Sequence, residues 1–324
     1  MAKTDPIERA LNRLGELRHV EPSERVRDEI RSFLRNRSNL VVAKAAAIVR
    51  DLRVTALLPE LVAAFNKLIA DAPRLDKRCV ALAEITSALY ELDYDEPGPY
   101  LMGIKHVQFE GSYGPPVDEG AKLRAVSAQG LLRTQYADAL SEVVQLLVDR
   151  EPVARIGAIR ALGVNGGEAG VLLLRLRVLT GDAEPVVLAE CFAALLAASP
   201  DKSVAFVAKY INAQDEATAE AAVLALGESR LPLAYEVLKE KWNRTALLPE
   251  KKILLTSMAA SRLDDAIAFL LSQVDSASAQ TAACAVEALS IYRHNEGVST
   301  SVRSAVLARR EKAIIEAYRR GFAS

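Results

Sequence analysis

The residues able to do chemistry in this 324-residue chain gather in one stretch, "DYDEPGPYLMGIKHVQFEGSYGPPVDEG", from Asp93 to Gly120. Lys105, His106, Glu110, Asp118 and Glu119 supply titratable groups there, and Ser112 a hydroxyl. His106 and Glu110 are four residues apart, so on a helix they would share a face and offer two ligands to a metal, or an acid and a base. No third ligand follows at a reproducible spacing, and two do not make a metal site. The other histidines, His19 and His294, lie far off in sequence. There is no GxxxxGK[ST] phosphate loop, no HExxH and no GxSxG elbow. "GVNGGEAG" (Gly163–Gly170) is rich in glycine but joins two helical patterns, so it reads as an interhelical turn. The expectation is a chain with no catalytic residue, no metal and no cofactor, and not an enzyme.

Cys79, Cys191 and Cys284 form no CxxC pair and are odd in number, which suits small buried hydrophobes. Trp242, the lone tryptophan, falls four residues after Leu238 on an apolar stripe and is expected in the core.

The Asp93–Gly120 stretch also holds five of sixteen glycines, four of thirteen prolines and four of seventeen aromatics. Within it "PYLMGIKHV" suits a short helix. "QFEGSYGPPVDEG" suits a projecting loop stiffened by Pro115 and Pro116. A long, aromatic, stiff loop is a place for contact with another molecule. The residues expected to bind a partner are Tyr100, Lys105, His106, Gln108, Phe109, Glu110 and Tyr113.

The elements that must carry this stretch are helices. "EPVARIGAIRALG" (Glu151–Gly163) returns as "EPVVLAECFAALL", "DEATAEAAVLALG" and "SAQTAACAVEALS", with looser copies at Gly120–Leu132 and Leu247–Ala259. Aligned, the copies mark Leu131, Leu162, Leu195, Leu226, Met258 and Leu289, at steps of 31, 33, 31, 32 and 31 residues. A fixed period of this size signals stacked repeats. Each period holds two amphipathic helices, the second clearest in "DDAIAFLLSQV", where Ile267, Leu270, Leu271 and Val274 line one face. Asp201 and Asp264 precede helices as candidate caps. Upstream, Leu52 and Leu89 extend the series at wider steps, and the excess before Leu131 falls in the unusual stretch, which is therefore an insertion within a repeat. The predicted organisation is one domain over 1–324, with capping helices at 1–38, an insertion at 93–119 and a long capping helix near Thr300–Arg320 within 297–324.

Paired helices with a period just above thirty and a first helix reading "EPVARIGAIRALG" resemble HEAT repeats, in the short bacterial form also found in phycobilisome lyases. That resemblance implies an all-α, right-handed α-solenoid of about eight stacked hairpins. The resemblance specifies a fold rather than a function; the function expected on it is a non-enzymatic scaffold that binds a protein partner through its concave face and the insertion. HEAT-like hydroxylases carry paired His-Glu steps, whereas His19 and His106 precede valine and His294 precedes asparagine. Two alternatives come with the family: nucleic-acid binding, as in HEAT-like DNA glycosylases, and a bilin lyase or chaperone.

With 41 basic against 42 acidic residues the chain has no global pull toward nucleic acid or anionic membrane. Glu84–Glu119 is nonetheless locally acidic, eight acids to one lysine, while Met1–Arg53 carries twelve basic to eight acidic residues. No apolar run approaches a membrane span and the N-terminus carries no signal pattern, so a cytoplasmic location is expected.

Overall fold

The computed structural model describes residues 5–111 and 114–322. Two compact units follow one another, one ending at Leu173 and the other beginning at Leu174. The first contains α1 (Pro6–Leu17), α2 (Glu24–Leu34), α3 (Asn39–Asp51), α4 (Leu58–Ile69), the single turn α5 (Ala72–Leu75), α6 (Val80–Glu91) and α7 (Gly98–Ile104). A two-stranded ribbon comes next, β1 (Phe109–Glu110) and β2 (Val117–Asp118), then α8 (Ala121–Arg133), α9 (Ala139–Gln145) and α10 (Pro152–Asn165). Helix α11 (Gly167–Thr180) contains the division. The second unit continues with α12 (Pro185–Ala198), α13 (Pro200–Val207), α14 (Glu216–Glu228), α15 (Pro232–Arg244) and α16 (Leu248–Ala260). It ends with α17 (Asp264–Ser276), α18 (Ala279–Leu289), α19 (Glu296–Arg309) and α20 (Lys312–Phe322).

The fold class is all-α, built of stacked helical hairpins. In the first unit α1, α3, α6, α8 and α10 pack side by side as successive first helices. In the second unit α12, α14, α16, α18 and α20 do the same. Among the described residues this makes nine hairpins and a closing helix, where the sequence predicts about eight hairpins. The predicted long C-terminal helix is two, because Arg310 turns left-handed (φ 56°) between α19 and α20.

The six repeat marks Leu131, Leu162, Leu195, Leu226, Met258 and Leu289 are all fully buried, each on a first helix. Leu52 is not their equivalent. It is the half-buried residue at the C-terminal cap of α3, whose core includes Ile48 and Val49. First helices approach closely because small residues face one another. A Cβ on Gly157 would lie 2.3 Å from the Ala125 Cα, and one on Gly227 2.1 Å from the Ser257 carbonyl oxygen. Proline opens α10, α12, α13, α15 and α16, where its missing N–H costs nothing. Asp215 caps α14 by accepting from the Thr218 N–H at 2.8 Å. Asp201 and Asp264 are not caps. Both lie inside the first turn, after Ser199 and Leu263, where the helix dipole still favours a carboxylate.

Candidate functional site

The insertion does not hang free. After α7 the chain runs to β1, turns, and returns through β2, with Phe109 opposite Asp118 and Glu110 opposite Val117. This ribbon seats on a second irregular segment, 71–79, which replaces a simple connection between α4 and α6. Arg78 (φ 61°) and Cys79 (φ 52°) are successive left-handed residues, a conformation L side chains resist. Asp76, fully buried, holds that turn. Its Oδ1 accepts from the Asn39 Nδ2 at 2.9 Å and the Ala81 N–H at 3.0 Å, and its Oδ2 from the Leu82 N–H at 2.8 Å. It satisfies the free amides of α6 that Cys79, at the cap position, does not.

Gln108 joins segment to ribbon. Its Nε2 donates to the Asp76 carbonyl at 2.9 Å and to Glu110 Oε1 at 2.6 Å, which leaves its Oε1 to accept from His106 Nε2 at 3.0 Å. Glu110 Oε1 also accepts from the Arg78 N–H at 2.9 Å. Below the ribbon lies a buried ionic cluster. Arg124 on α8 donates to Asp118 at 2.8 Å, to both oxygens of Asp149 at 2.9 and 3.0 Å, and to the His106 carbonyl at 2.8 Å. Asp118 Oδ1 accepts in addition from the N–H groups of Gln108 (3.1 Å) and Gly120 (2.9 Å). Gly120 has no room for a side chain, since a Cβ there would lie 2.8 Å from the His106 carbonyl oxygen.

These contacts set the charges. Burial pushes the Asp118 carboxyl up, but the bonds from Arg124, Gln108 and Gly120 outweigh it and hold the group below the ordinary carboxylate range. Glu110 is held low in the same way, burial being outweighed by the Arg78 amide and Gln108. The Cys79 thiol is pushed up to about 12 by burial, with Asp76 and Asp118 adding to it. A thiol so disfavoured as thiolate is no nucleophile.

Of the seven expected contact residues, Tyr100 and Gln108 are buried. Tyr100 is fully buried, with its ring where a side chain on Gly130 would be and its hydroxyl donating to the Tyr94 carbonyl at 3.1 Å. Gln108 is 2% exposed and spent on the bonds above. His106 and Glu110 are half-buried and also bonded within the site. Lys105 is exposed and paired with Glu142 of the next hairpin at 2.7 Å. Phe109 stands out, 58% exposed. Tyr113 lies outside the described residues. The sequence reading missed Val107 (52% exposed) and Val117 (57%), apolar side chains that stand in solvent here as Phe109 does. It also missed Asp76, Arg78, Arg124 and Asp149, which hold the ribbon. Beside the ribbon, Arg78, Glu110, Gly111, Gly114, Pro115, Val117 and Glu119 line an open cleft. Among the described residues no three His, Cys, Asp or Glu side chains converge as a metal site would require.

No protein-family model matches the sequence, and no curated protein does. Among solved structures the chain is similar to human deoxyhypusine hydroxylase in complex with glycerol (TM-score 0.32, 15% identity, 84% of this chain and 98% of that one). It is similar also to the complex of CpcE and CpcF of phycocyanin lyase from Nostoc (0.35, 13%, 98% and 95%) and to an engineered protein (0.35, 17%, 100% and 97%). The first of these is itself an enzyme, and the expectation that this chain is not one is withdrawn. No described helix is long and apolar enough to cross a membrane.

Proposed function

We propose that the chain binds a protein partner through the ribbon of its insertion. The observation that carries this reading is the pairing of an apolar surface with a rigid support. Phe109, Val107 and Val117 are each more than half exposed, on a ribbon whose Asp118 is fixed by the buried Arg124. Large apolar side chains left in solvent on a held element mark contact surfaces. Pre-ordering the surface lowers the entropy lost on binding. Aromatic side chains often carry such contacts, which gives Phe109 the leading role.

Nucleic acid is a poorer fit, because it asks for free cations along a groove. Arg13, Arg18, Arg31 and Arg50, in the basic N-terminal region, are instead held by Glu29, Asp51, Glu60 and Glu84.

The test is quantitative affinity purification from the native host with the wild-type chain and with Phe109→Ser/Val117→Ser. Both side chains are mostly exposed, so the variant keeps its helical circular dichroism and thermal midpoint. The expected result is loss of one or a few captured proteins by about tenfold or more, as for a central interface residue. An unchanged set of captured proteins contradicts the proposal.

A further inference from the structure

A second surface, in the other unit and independent of the ribbon, has a chemistry of its own. An open cleft of about 340 Å³ lies between α14 and α16. Its apolar floor is presented by the half-buried Ile253 and Ala219, over Ile211, Val223 and Leu254, which lie buried beneath. Glu216 and Glu220, about one turn apart on α14, and Glu250 at the start of α16 stand around it. None of these three carboxylates forms an ion pair among the described residues. Lys241, the cleft's one cation, is already committed, donating to the Ile211 carbonyl at 2.7 Å and to Asn212 Oδ1 at 2.8 Å. Glu216 and Glu250 lie in first turns, where the helix dipole favours them. Glu220 lies beyond that reach.

The three acids do not converge on a point where a metal ion would sit. Their charge is spread along an apolar trough, the complement of a cation that carries hydrocarbon with it. Lysine and arginine are such cations, laying an aliphatic stem on apolar surface while the charged head reaches polar groups. We propose that this cleft docks a basic segment of a partner protein: a lysine or arginine stem on Ile253 and Ala219, its charge toward Glu216, Glu220 and Glu250, with an apolar neighbour on the same floor.

The experiment is fluorescence anisotropy with the full chain at low salt and three labelled peptides. One alternates lysine and leucine, one has its leucines replaced by serine, and one has its lysines replaced by glutamate. The lysine–leucine peptide is expected to bind, the serine version to bind at least several-fold more weakly, and the glutamate version not at all. Glu216→Gln/Glu220→Gln/Glu250→Gln is expected to weaken the lysine–leucine peptide by about tenfold, the combined effect of three modest charge contacts. Equal binding by this variant overturns the proposal. So does equal binding of the serine peptide to the wild-type chain, an arm that needs no variant to fold. Displacement by spermine at the peptide's own concentration makes the occupant a free polycation and also overturns it. A wild-type dimer that the triple variant dissolves, seen by sedimentation, makes the occupant a second copy, with the same consequence.

Discussion

Arg124 shows what one side chain does when water is kept from it. Its guanidinium is 4% exposed and meets Asp118, itself 6% exposed, Asp149 and a carbonyl. Burial disfavours its charge, but the bonds it donates to Asp149 and Asp118 outweigh this and raise its pKa. Removing the cation would leave two carboxylates without a counter-charge. Arg124→Met is therefore expected to cost about 3–5 kcal/mol, read as a lower denaturation midpoint. Lys105→Ala, which breaks an exposed pair with Glu142, is expected to cost less than about 1 kcal/mol. Equal losses would mean that the cluster is as screened as a surface pair. The sign of the pH effect follows from Asp118, whose folded pKa is depressed. Its contribution is present above the unfolded aspartate value of about 3.9 and is lost as pH falls through the folded value. Acid should therefore loosen the ribbon, and Asp118→Asn should flatten that dependence. From sequence, His106 and Asp118 were visible as titratable groups. Their roles were not, because the role of Asp118 is set by Arg124 and that of His106 by Gln108, contacts that folding makes.

At the scale of elements, the regular part of the chain was legible because its spacing is dictated by packing. Each repeat mark from Leu131 to Leu289 sits where a first helix meets its neighbours, so the period survives in the sequence. The small residues tell the same story. Gly157→Val would drive a side chain into the Ala125 backbone and is expected to cost about 1–3 kcal/mol in a urea titration. Gly15→Ala in α1, with nothing within 4 Å of its Cβ, is expected to gain up to about 1 kcal/mol. A neutral Gly157→Val would refute the close approach. What stayed hidden were the turns. The left-handed residues after α3, α6, α8, α14 and α16 are Arg53, Asp93, Gln135, Arg230 and Arg262, so most turns carry no glycine to announce them. The segment 71–79 was hidden for the same reason, its left-handed pair being Arg78 and Cys79. Its trace was the long step from Leu52 to Leu89. The insertion was visible as a break in composition, but which of its side chains stand in solvent was not. Aromatic type pointed to Tyr100, which folds inward, and away from Val107 and Val117, which do not.

For the molecule as a whole, the sequence suggests charge segregation that pairing largely removes. The acidic Glu84–Glu119 stretch meets bases brought by neighbouring helices: Glu84 pairs with Arg50 and Lys122, Asp93 with Arg133, Asp118 with Arg124 and Glu119 with Arg78. What the first unit presents at the insertion is thus an apolar ribbon on a neutralised base, and its being pre-formed is the claim on which the proposed contact rests. Amide hydrogen exchange of the full chain, read by mass spectrometry, tests this most directly. The amides of Arg78, Ala81, Leu82, Gln108 and Gly120 each donate to a carboxylate of the site. Peptides covering 76–82 and 106–110 are expected to exchange as slowly as the flanking helices α6 and α8, and Arg124→Met to speed both together. Exchange of 106–110 at the rate of an open loop, with or without Arg124, would contradict it.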